Sequence, residues 1–299
     1  MKKMLVFLSL MLCFVNVLRA DEKKEKDYRI EKKDEGRDTI QNVRKGSLVF
    51  FSPDGKVIKK ISLDYSVERL EFKEVKISDN GKYALYCEVL PKNELKMHTE
   101  DKYIMWTGEG LSGWAPYRIT FFNNKGKVLW RKTYEVKFAE YAYDVDEVIS
   151  GNGERVVLYY SEGVGYMKVK GHLIVLDTLG KEIVRIDTED PLGCIGISND
   201  GKIVGAKTSK NINGVYIRHL FFLDVETGRT KVVKAEGEGE GEKWKGGFGF
   251  YNNGQIRLYW IPIGEKYDKI PGGGEKMKVI SFDELPEDLS SLFEKGGEK

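Results

Sequence analysis

Two acidic stretches contain the residues of this chain whose type and spacing come nearest to a catalytic arrangement. Together they contribute four candidate carboxylates, namely Asp144, Asp146, Glu189 and Asp190. A pair of carboxylates can act as acid and base on a glycosidic bond when about 5 to 10 Å separates them. Acidic residues beside strands also keep strand edges from pairing. The stretches therefore permit a carbohydrate-active hydrolase as an alternative, and they do not establish one.

Two of the three histidines, His172 and His219, open corresponding strands of neighbouring sequence repeats. They could lie side by side and begin a metal site, which would need further ligands in a defined geometry. The alternative is that both are structural residues at strand starts. We expect no bound cofactor.

Two other motifs match catalytic or cofactor patterns only in part. Gly108, Gly110 and Gly113 have the spacing of a dinucleotide fingerprint, but Trp114-Ala115-Pro116 follows and predicts a strand where the mechanism needs a helix N-terminus. Ser112 lies in GLSGW, which departs from the G-x-S-x-G pattern of a nucleophilic serine. Neither motif predicts an active site.

One predicted loop, residues 91–117, is rich in large apolar and aromatic side chains. Its candidate binding residues are Tyr103, Met105, Trp106, Trp114 and Tyr117. Such residues either pack onto the rest of the fold as a lid or form a contact surface, where Trp and Tyr are enriched.

The elements that must position these residues repeat along the chain. The stretch ISDNGKYALY (77–86) combines alternating apolar residues with an Asn-Gly turn, which predicts a β-hairpin. Similar hairpins recur, and their turn glycines are Gly81, Gly153, Gly201 and Gly254. A glycine is expected there because one turn position requires positive φ.

A second set of hairpins alternates with the first. They occupy residues 47–63, 118–134, 172–188 and 219–235. Two hairpins per unit and a period of about 50 residues indicate four-stranded propeller blades, in which the first set gives strands a and b and the second gives c and d. We predict an all-β protein, a β-propeller of four-stranded antiparallel blades. Five blades are favoured, with residues 28–43 supplying the a–b hairpin of the first blade and Gly36 its turn. Four are possible if hairpin 47–63 closes the last blade, and a β-sandwich is the other architecture considered.

The phrases FSPDGK (51–56), ISDNGK (77–82) and ISNDGK (197–202) resemble the turns of WD-repeat-like, TolB-type propellers of bacterial envelopes. The resemblance covers residues 46–261 and implies the propeller fold, with an interaction role in the envelope. The eukaryotic WD dipeptide pattern is absent from the sequence.

The predicted propeller has unequal ends. Every a–b and c–d connection is a tight turn, so all long connections fall on one end, and binding residues concentrate in such loops. The long connections are 91–117, 135–144, 161–171, 208–217, 236–247 and 262–276. We expect 235–247 and 271–276 to be flexible because they are rich in glycine.

Residues 1–20 have the order of a secretory signal peptide, with Lys2 and Lys3, an apolar run to Leu18, and Ala20 before a charged stretch. The apolar run is shorter than the roughly 20 residues that span a bilayer. An uncleaved anchor is the first alternative, and lipidation at Cys13 the second. We expect export to the periplasm or cell exterior, with no membrane span after cleavage.

Cleavage after Ala20 changes the formal charge from +2 to about −1, because the leader contains three basic residues. A near-neutral chain lacks the basic footprint of nucleic-acid binding. Cys87 and Cys194 would remain, and a whole blade separates them in the predicted propeller, which exceeds disulfide reach. We expect two buried free thiols.

The predicted organisation is a signal peptide (1–20), a charged N-terminal segment (21–45), a propeller (46–285) and a tail (286–299) that could form a short helix. The function that this organisation favours is an exported, non-catalytic binding module whose loop end contacts another protein. The alternatives are the hydrolase and a structural module of an envelope assembly. The sequence does not predict an oligomeric state.

Overall fold

The repeated hairpins form antiparallel strands in the structure, which is a computed structural model of the chain. It describes residues 27–38, 43–66, 73–89, 105–107, 110–139, 142–143, 145–161, 170–190, 192–212, 215–239, 242–251, 253–263 and 276–293. The glycines at the a–b turns all have positive φ, between 66° and 78°. This conformation is accessible to glycine at little energetic cost, so the repeated glycine has a steric cause.

The described strands form five sheets in chain order. The first contains β1 (Arg29–Asp38), β2 (Val43–Phe51), β3 (Val57–Ser62) and β4 (Tyr65–Ser66). The second contains β5 (Lys73–Ile77), β6 (Tyr83–Val89), β7 (Met105–Thr107), β8 (Gly110–Asn123), β9 (Val128–Ala139) and β10 (Ala142–Tyr143). The third contains β11 (Val145–Ile149), β12 (Arg155–Ser161), β13 (Gly171–Asp177) and β14 (Glu182–Thr188). The fourth contains β15 (Leu192–Ile197), β16 (Ile203–Ile212), β17 (Val215–Asp224) and β18 (Thr230–Lys234). The fifth contains β19 (Glu236–Gly239), β20 (Glu242–Phe250), β21 (Ile256–Ile263) and β22 (Lys276–Ile280).

This architecture is a β-propeller, which confirms the predicted fold class. The third and fourth sheets are four-stranded meanders, β11-β12-β13-β14 and β15-β16-β17-β18. The front hairpin β2–β3 pairs with β1 and not with the last sheet, so the described strands form five sheets and not four. Residues 28–43 were expected to form a hairpin at Gly36. They contain the single strand β1 instead, in which Gly36 (φ 86°) lies at a shift in register.

The apolar core lies between neighbouring sheets as four clusters. Members that the two sheets contribute to each cluster are, in chain order of the sheets, Phe50 and Phe122, Leu85 and Leu158, Val157 and Val204, and Phe222 and Leu258. The described residues contain no fifth cluster that joins the first sheet to the fifth. Among the described residues, each inner sheet therefore packs against two neighbouring sheets, whereas the first and fifth sheets each pack against one.

The chain after β22 returns to the outer edge of the fourth sheet. Lys234 N donates to Glu287 O (2.8 Å), and Leu289 N donates to Lys234 O (2.9 Å). A short helix, α1 (Ser290–Phe293), follows, and Leu289 and Phe293 are buried in the cluster between the fourth and fifth sheets. The described residues include no helix long and apolar enough to cross a bilayer.

A buried serine organises each of three a–b turns. Ser150 Oγ donates to Asn152 Oδ1 (2.7 Å) and accepts from Arg155 N (3.0 Å). Ser78 and Ser198 make the corresponding contacts in their own turns. The serine satisfies backbone and side-chain groups that would otherwise be buried without partners, which explains why it precedes the Asn/Asp-Gly pair.

These turns also bind one another. Asn80 N donates to Gly151 O (3.1 Å), and Asn152 N donates to Asn199 O (2.8 Å). The side-chain amide of Asn80 donates to Asn152 O at 2.7 Å. The second, third and fourth sheets are therefore linked at their turn end by hydrogen bonds between neighbouring turns.

Candidate functional site

The opposite end of the propeller, the loop end, differs because several strands extend beyond the four-stranded part of their sheets. In the second sheet, β6 ends at the pair Val89–Tyr117, but the β8–β9 ladder continues to Ser112–Ala139. Strands β7 and β10 pair with this extension. In the fourth sheet, the β16–β17 ladder extends past Thr208–His219 to Ile212–Val215.

We call these paired extensions ribbons: β7 and β10 with the ends of β8 and β9 in the second sheet, β16–β17 in the fourth, and β19–β20 in the fifth. They correct the prediction that 91–117, 135–144, 208–217 and 236–247 are loops. The glycine-rich stretch 235–247, expected to be flexible, contains β19 and the start of β20. Its register places Glu236 opposite Lys245 and Glu238 opposite Lys243, and opposite charges favour cross-strand pairing. Alternation of glutamate with glycine has a strand period, but it lacks the apolar residues on which strand prediction depends.

The candidate binding residues occupy different positions in and beside the ribbon of the second sheet. Met105 and Trp106 lie in β7, and Trp114 lies in β8. Tyr103 lies outside the described residues. Tyr117 is wrong as a contact residue because its side chain is fully buried, with 0% exposure. It faces the third sheet as part of the core, which its place in an aromatic-rich sequence did not indicate.

Tyr117 belongs to a partly buried polar group that we call the axial cluster: Glu74, Lys76, Cys87, Tyr117, Asp146 and Glu147. Tyr117 Oη donates to Glu147 Oε2 at 2.7 Å. Lys76 Nζ lies 3.5 Å from Glu147 Oε1 and 3.7 Å from Asp146 Oδ1. It also donates to the main-chain oxygen of Glu147. The cluster thus joins the innermost strands of the second and third sheets, β5 and β11.

Burial dominates the electrostatics of the axial cluster. Glu147 is 2% exposed, and its burial raises the pKa of the carboxyl from 4.5 to about 7, although Lys76 and Tyr117 oppose the shift. Desolvation lowers the pKa of Lys76, but the surrounding carboxylates outweigh it and raise that pKa overall. Burial also raises the pKa of the Cys87 thiol well above its ordinary value. Glu147 therefore keeps its proton to a higher pH than an exposed carboxyl does.

The acidic residues proposed from sequence have separate environments. Asp146 Oδ2 accepts a hydrogen bond from Ile195 N (3.1 Å), which links the third sheet to the fourth. Glu189 and Asp190 lie in the short connection between β14 and β15. Asp144 lies outside the described residues. Sequence reasoning did not select Glu147, although it follows Asp146 directly, because its burial depends on the neighbouring sheet.

The two histidines also have different partners. His172 Nδ1 lies 2.8 Å from Asp187 Oδ1, and its ring contacts Tyr160. His219 Nδ1 lies 2.9 Å from the main-chain oxygen of Ile217. Within the described ranges, no group of three or more His, Cys, Asp and Glu side chains could hold a metal ion. The structure thus gives no third ligand among the described residues, and a metal site shared by His172 and His219 stays a prediction from sequence.

Both described cysteines are free thiols, as predicted, and Cys87 is buried. The prediction was wrong for Cys194, which is exposed. It has φ of 50° and lies at a register shift between Gly193 and Gly196. This irregularity breaks the strand alternation from which its burial was inferred.

Neither a protein-family model nor a curated protein sequence matches the chain. Its fold is similar to that of the β-propeller domain of the Trilobed protease from Pyrococcus furiosus, at 9% identity and a TM-score of 0.44, over 87% of this chain and 71% of that one. It is also similar to oligopeptidase B from Trypanosoma brucei (10% identity, TM-score 0.39, 84% and 32% covered). The acylaminoacyl peptidase of Pyrococcus horikoshii gives 10% identity and a TM-score of 0.39, with 87% and 37% covered. This chain thus spans about a third of either peptidase.

Proposed function

We propose that this chain is an exported, non-catalytic binding propeller that contacts another protein through its loop end. The observation that carries the proposal is the difference between the two ends. At one end, the short a–b turns of the second, third and fourth sheets donate hydrogen bonds to one another's main-chain oxygens. At the other end, the paired strands β8–β9 and β16–β17 extend beyond the four-stranded part of the second and fourth sheets. A rigid scaffold with elaborated connections at one end is the usual arrangement of binding proteins.

The proposed location is the bacterial envelope, outside the cytoplasm. It rests on the signal-like residues 1–20 and on the resemblance of the turn motifs to TolB-type propellers. The alternative, a structural role in an envelope assembly, differs from this proposal because it requires a permanently bound partner that does not dissociate.

The axial cluster gives little support to the hydrolytic alternative. Its carboxyl with a raised pKa, Glu147, is 2% exposed, so a substrate cannot reach it without separation of two sheets. Asp146 is engaged with Ile195 N and Lys76. A glycosidase needs both carboxyl groups at the scissile bond.

The test compares residues 21–299 with a variant whose fourth-sheet ribbon is shortened. Residues 210–217 are replaced by Asn-Gly, which preserves the pair Ser209–Arg218 and closes it with a two-residue turn. The matched control is Leu179→Ser at the turn end, where Leu179 is 81% exposed. Partners captured from envelope extract are identified, and their affinities for the three proteins are then measured.

We expect the shortened ribbon to weaken binding at least tenfold while its melting temperature stays close to that of the parent. The Leu179→Ser control should bind like the parent. Equal binding by all three proteins, or loss on Leu179→Ser alone, contradicts a loop-end site. Hydrolysis of envelope glycans by the parent chain contradicts the non-catalytic assignment.

A further inference from the structure

The fifth sheet has one face that no other described sheet covers. Phe248, Leu258 and Ile280 point from this sheet into the core shared with the fourth. Residues at the alternate positions point the other way, and Met277 and Val279 there are 55% and 38% exposed. Since strand residues alternate between faces, this second face is a separate surface of the molecule.

We call this surface the terminal platform. It consists of Gly247, Gly249, Tyr251, Arg257, Tyr259, Met277 and Val279. The register forms two cross-strand rows, Gly247–Tyr259–Met277 and Gly249–Arg257–Val279. Tyr, Arg and Met are the residue types enriched in protein interfaces, and Tyr and Arg are frequent among hot spots.

The two glycines make the platform flat. A Cβ at position 247 would overlap the ring of Tyr259, and one at position 249 would lie 3.1 Å from the Arg257 guanidinium. Both long side chains therefore lie across the sheet over glycine backbone. The packing explains why glycine occupies alternate positions of an otherwise aromatic strand.

Arg257 is a charged side chain of the platform. Its guanidinium lies 5.7 Å from the centre of the Tyr251 ring. The described residues provide no carboxylate in ion-pair contact with it, although it is exposed. A planar guanidinium that is already held against an aromatic ring loses little freedom when it binds a carboxylate in a bidentate manner.

A cleft shares Tyr251 and Val279 with the platform, at its turn end. Its volume is about 620 Å³, and it is lined by Phe250, Tyr251, Asn253, Gln255 and Val279. Asn253 Nδ2 donates to Gln255 Oε1 at 2.8 Å on its rim. The cleft is large enough for a side chain and presents apolar groups beside amides.

We propose that the terminal platform is a second docking surface, independent of the loop end, for a protein segment that carries a carboxylate next to a large apolar side chain. Arg257 takes the carboxylate, and the apolar side chain covers Met277 and Val279 or enters the cleft. Charge favours this occupant over a second copy of the chain in a two-fold arrangement, because two copies would bring two arginines of like charge together.

The test selects peptides from a random 12-residue phage library on residues 21–299. The affinity of a selected synthetic peptide is then measured by fluorescence anisotropy for the parent, Arg257→Glu and Lys278→Glu. Lys278 is the matched control because it lies beside Val279 on the same strand, is exposed, and has its side chain on the other face. Melting curves establish that both variants are folded.

We expect the selected peptides to share an acidic residue near an apolar one. Arg257→Glu should weaken binding at least tenfold, and Lys278→Glu less than twofold. Exchange of the peptide carboxylate for an amide should have the same effect as Arg257→Glu, and the two changes together should add little, as expected for one shared contact.

Three results overturn the proposal. One is the selection of peptides without a carboxylate, or of none. Another is equal affinity of the parent and Arg257→Glu. The third is concentration-dependent self-association of the parent in sedimentation that Arg257→Glu abolishes, since the occupant is then a second copy.

Discussion

At the turn end of the propeller, hydrogen bonds between uncharged groups join neighbouring turns, whereas the second and third sheets are joined nearer the axis by buried ionisable groups. The first region uses serine, asparagine and main-chain groups, as in Asn80 N to Gly151 O. The second uses Lys76, Tyr117 and Glu147. Both regions hold the same two sheets together.

The free energy that holds the second sheet against the third therefore has two components, which differ in their dependence on pH. Hydrogen bonds between neutral groups do not titrate in the physiological range. A carboxyl whose pKa is raised by burial does, because the folded and unfolded chains bind its proton with different affinity. Three changes separate these components.

The largest expected effect is at the turn end, for Gly153→Ala. This residue has φ of 72°, and a Cβ there would overlap the Tyr83 ring. Left-handed backbone costs about 1 to 2 kcal/mol for a residue with a Cβ, and overpacking adds about 1 to 3. We expect a loss of roughly 3 kcal/mol in urea unfolding. Gly55→Ala is the control, because Gly55 has φ of 85° and no heavy atom lies within 4 Å of the position of an added Cβ. If Gly55→Ala loses as much free energy of unfolding as Gly153→Ala, packing against Tyr83 contributes nothing.

The next effect concerns pH and Glu147→Gln. The folded-state pKa of Glu147 is raised from 4.5 to about 7, so its contribution to stability is complete below about pH 4.5 and is lost as the pH rises through 7. The shift corresponds to about 3 kcal/mol. Unfolding free energies measured between pH 4.5 and 8 should lose this dependence in Glu147→Gln, which keeps an acceptor for Tyr117.

Glu74→Gln is the control for the pH experiment. Its carboxylate lies 3.8 Å from Lys76 Nζ, at the exposed side of the axial cluster. It should retain the pH dependence of the parent. If Glu147→Gln retains it as well, the buried carboxyl is not its source.

The smallest effect is expected for Ser150→Ala. The change removes the acceptor of Arg155 N and the donor to Asn152 Oδ1 in a buried turn. Loss of such partners costs about 1 to 2 kcal/mol. The measured loss should be equal at pH 5 and pH 8, in contrast to the behaviour of Glu147. Ser52→Ala, in an exposed turn, should lose less than half as much.

Prediction from sequence was most successful where local chemistry decides the backbone. The positive φ of Gly81, Gly153 and Gly201 follows from an Asn/Asp-Gly turn between alternating apolar residues. The alternation of two hairpin types then indicated the propeller. It was least successful at Gly36, where a similar glycine marks a shift in register and not a turn. A positive φ at one glycine is compatible with a turn or with a shift in register, and the strand that pairs with this segment decides which of the two forms.

The candidate sites were predicted less well because they depend on contacts between sheets. Tyr117 was chosen as a surface residue and is buried against Glu147. Cys194 was expected to be buried and is exposed at a strand irregularity. The β19–β20 ribbon at the loop end lacks the apolar alternation that strand prediction needs, because glutamate alternates with glycine in β19.

Local sequence specified the repeated hairpins, their turns and their order, because hairpin formation depends on neighbours within a few residues. It also determined that the two ends of the propeller differ, since connection length is a property of the chain. Only the tertiary structure decided which polar residues are buried together, as Lys76 and Glu147 are 71 positions apart. It likewise decided that Arg257 lies on a face that no described sheet covers. A side chain's dielectric environment and its partners depend on the packing of separate sheets, and no local pattern encodes them.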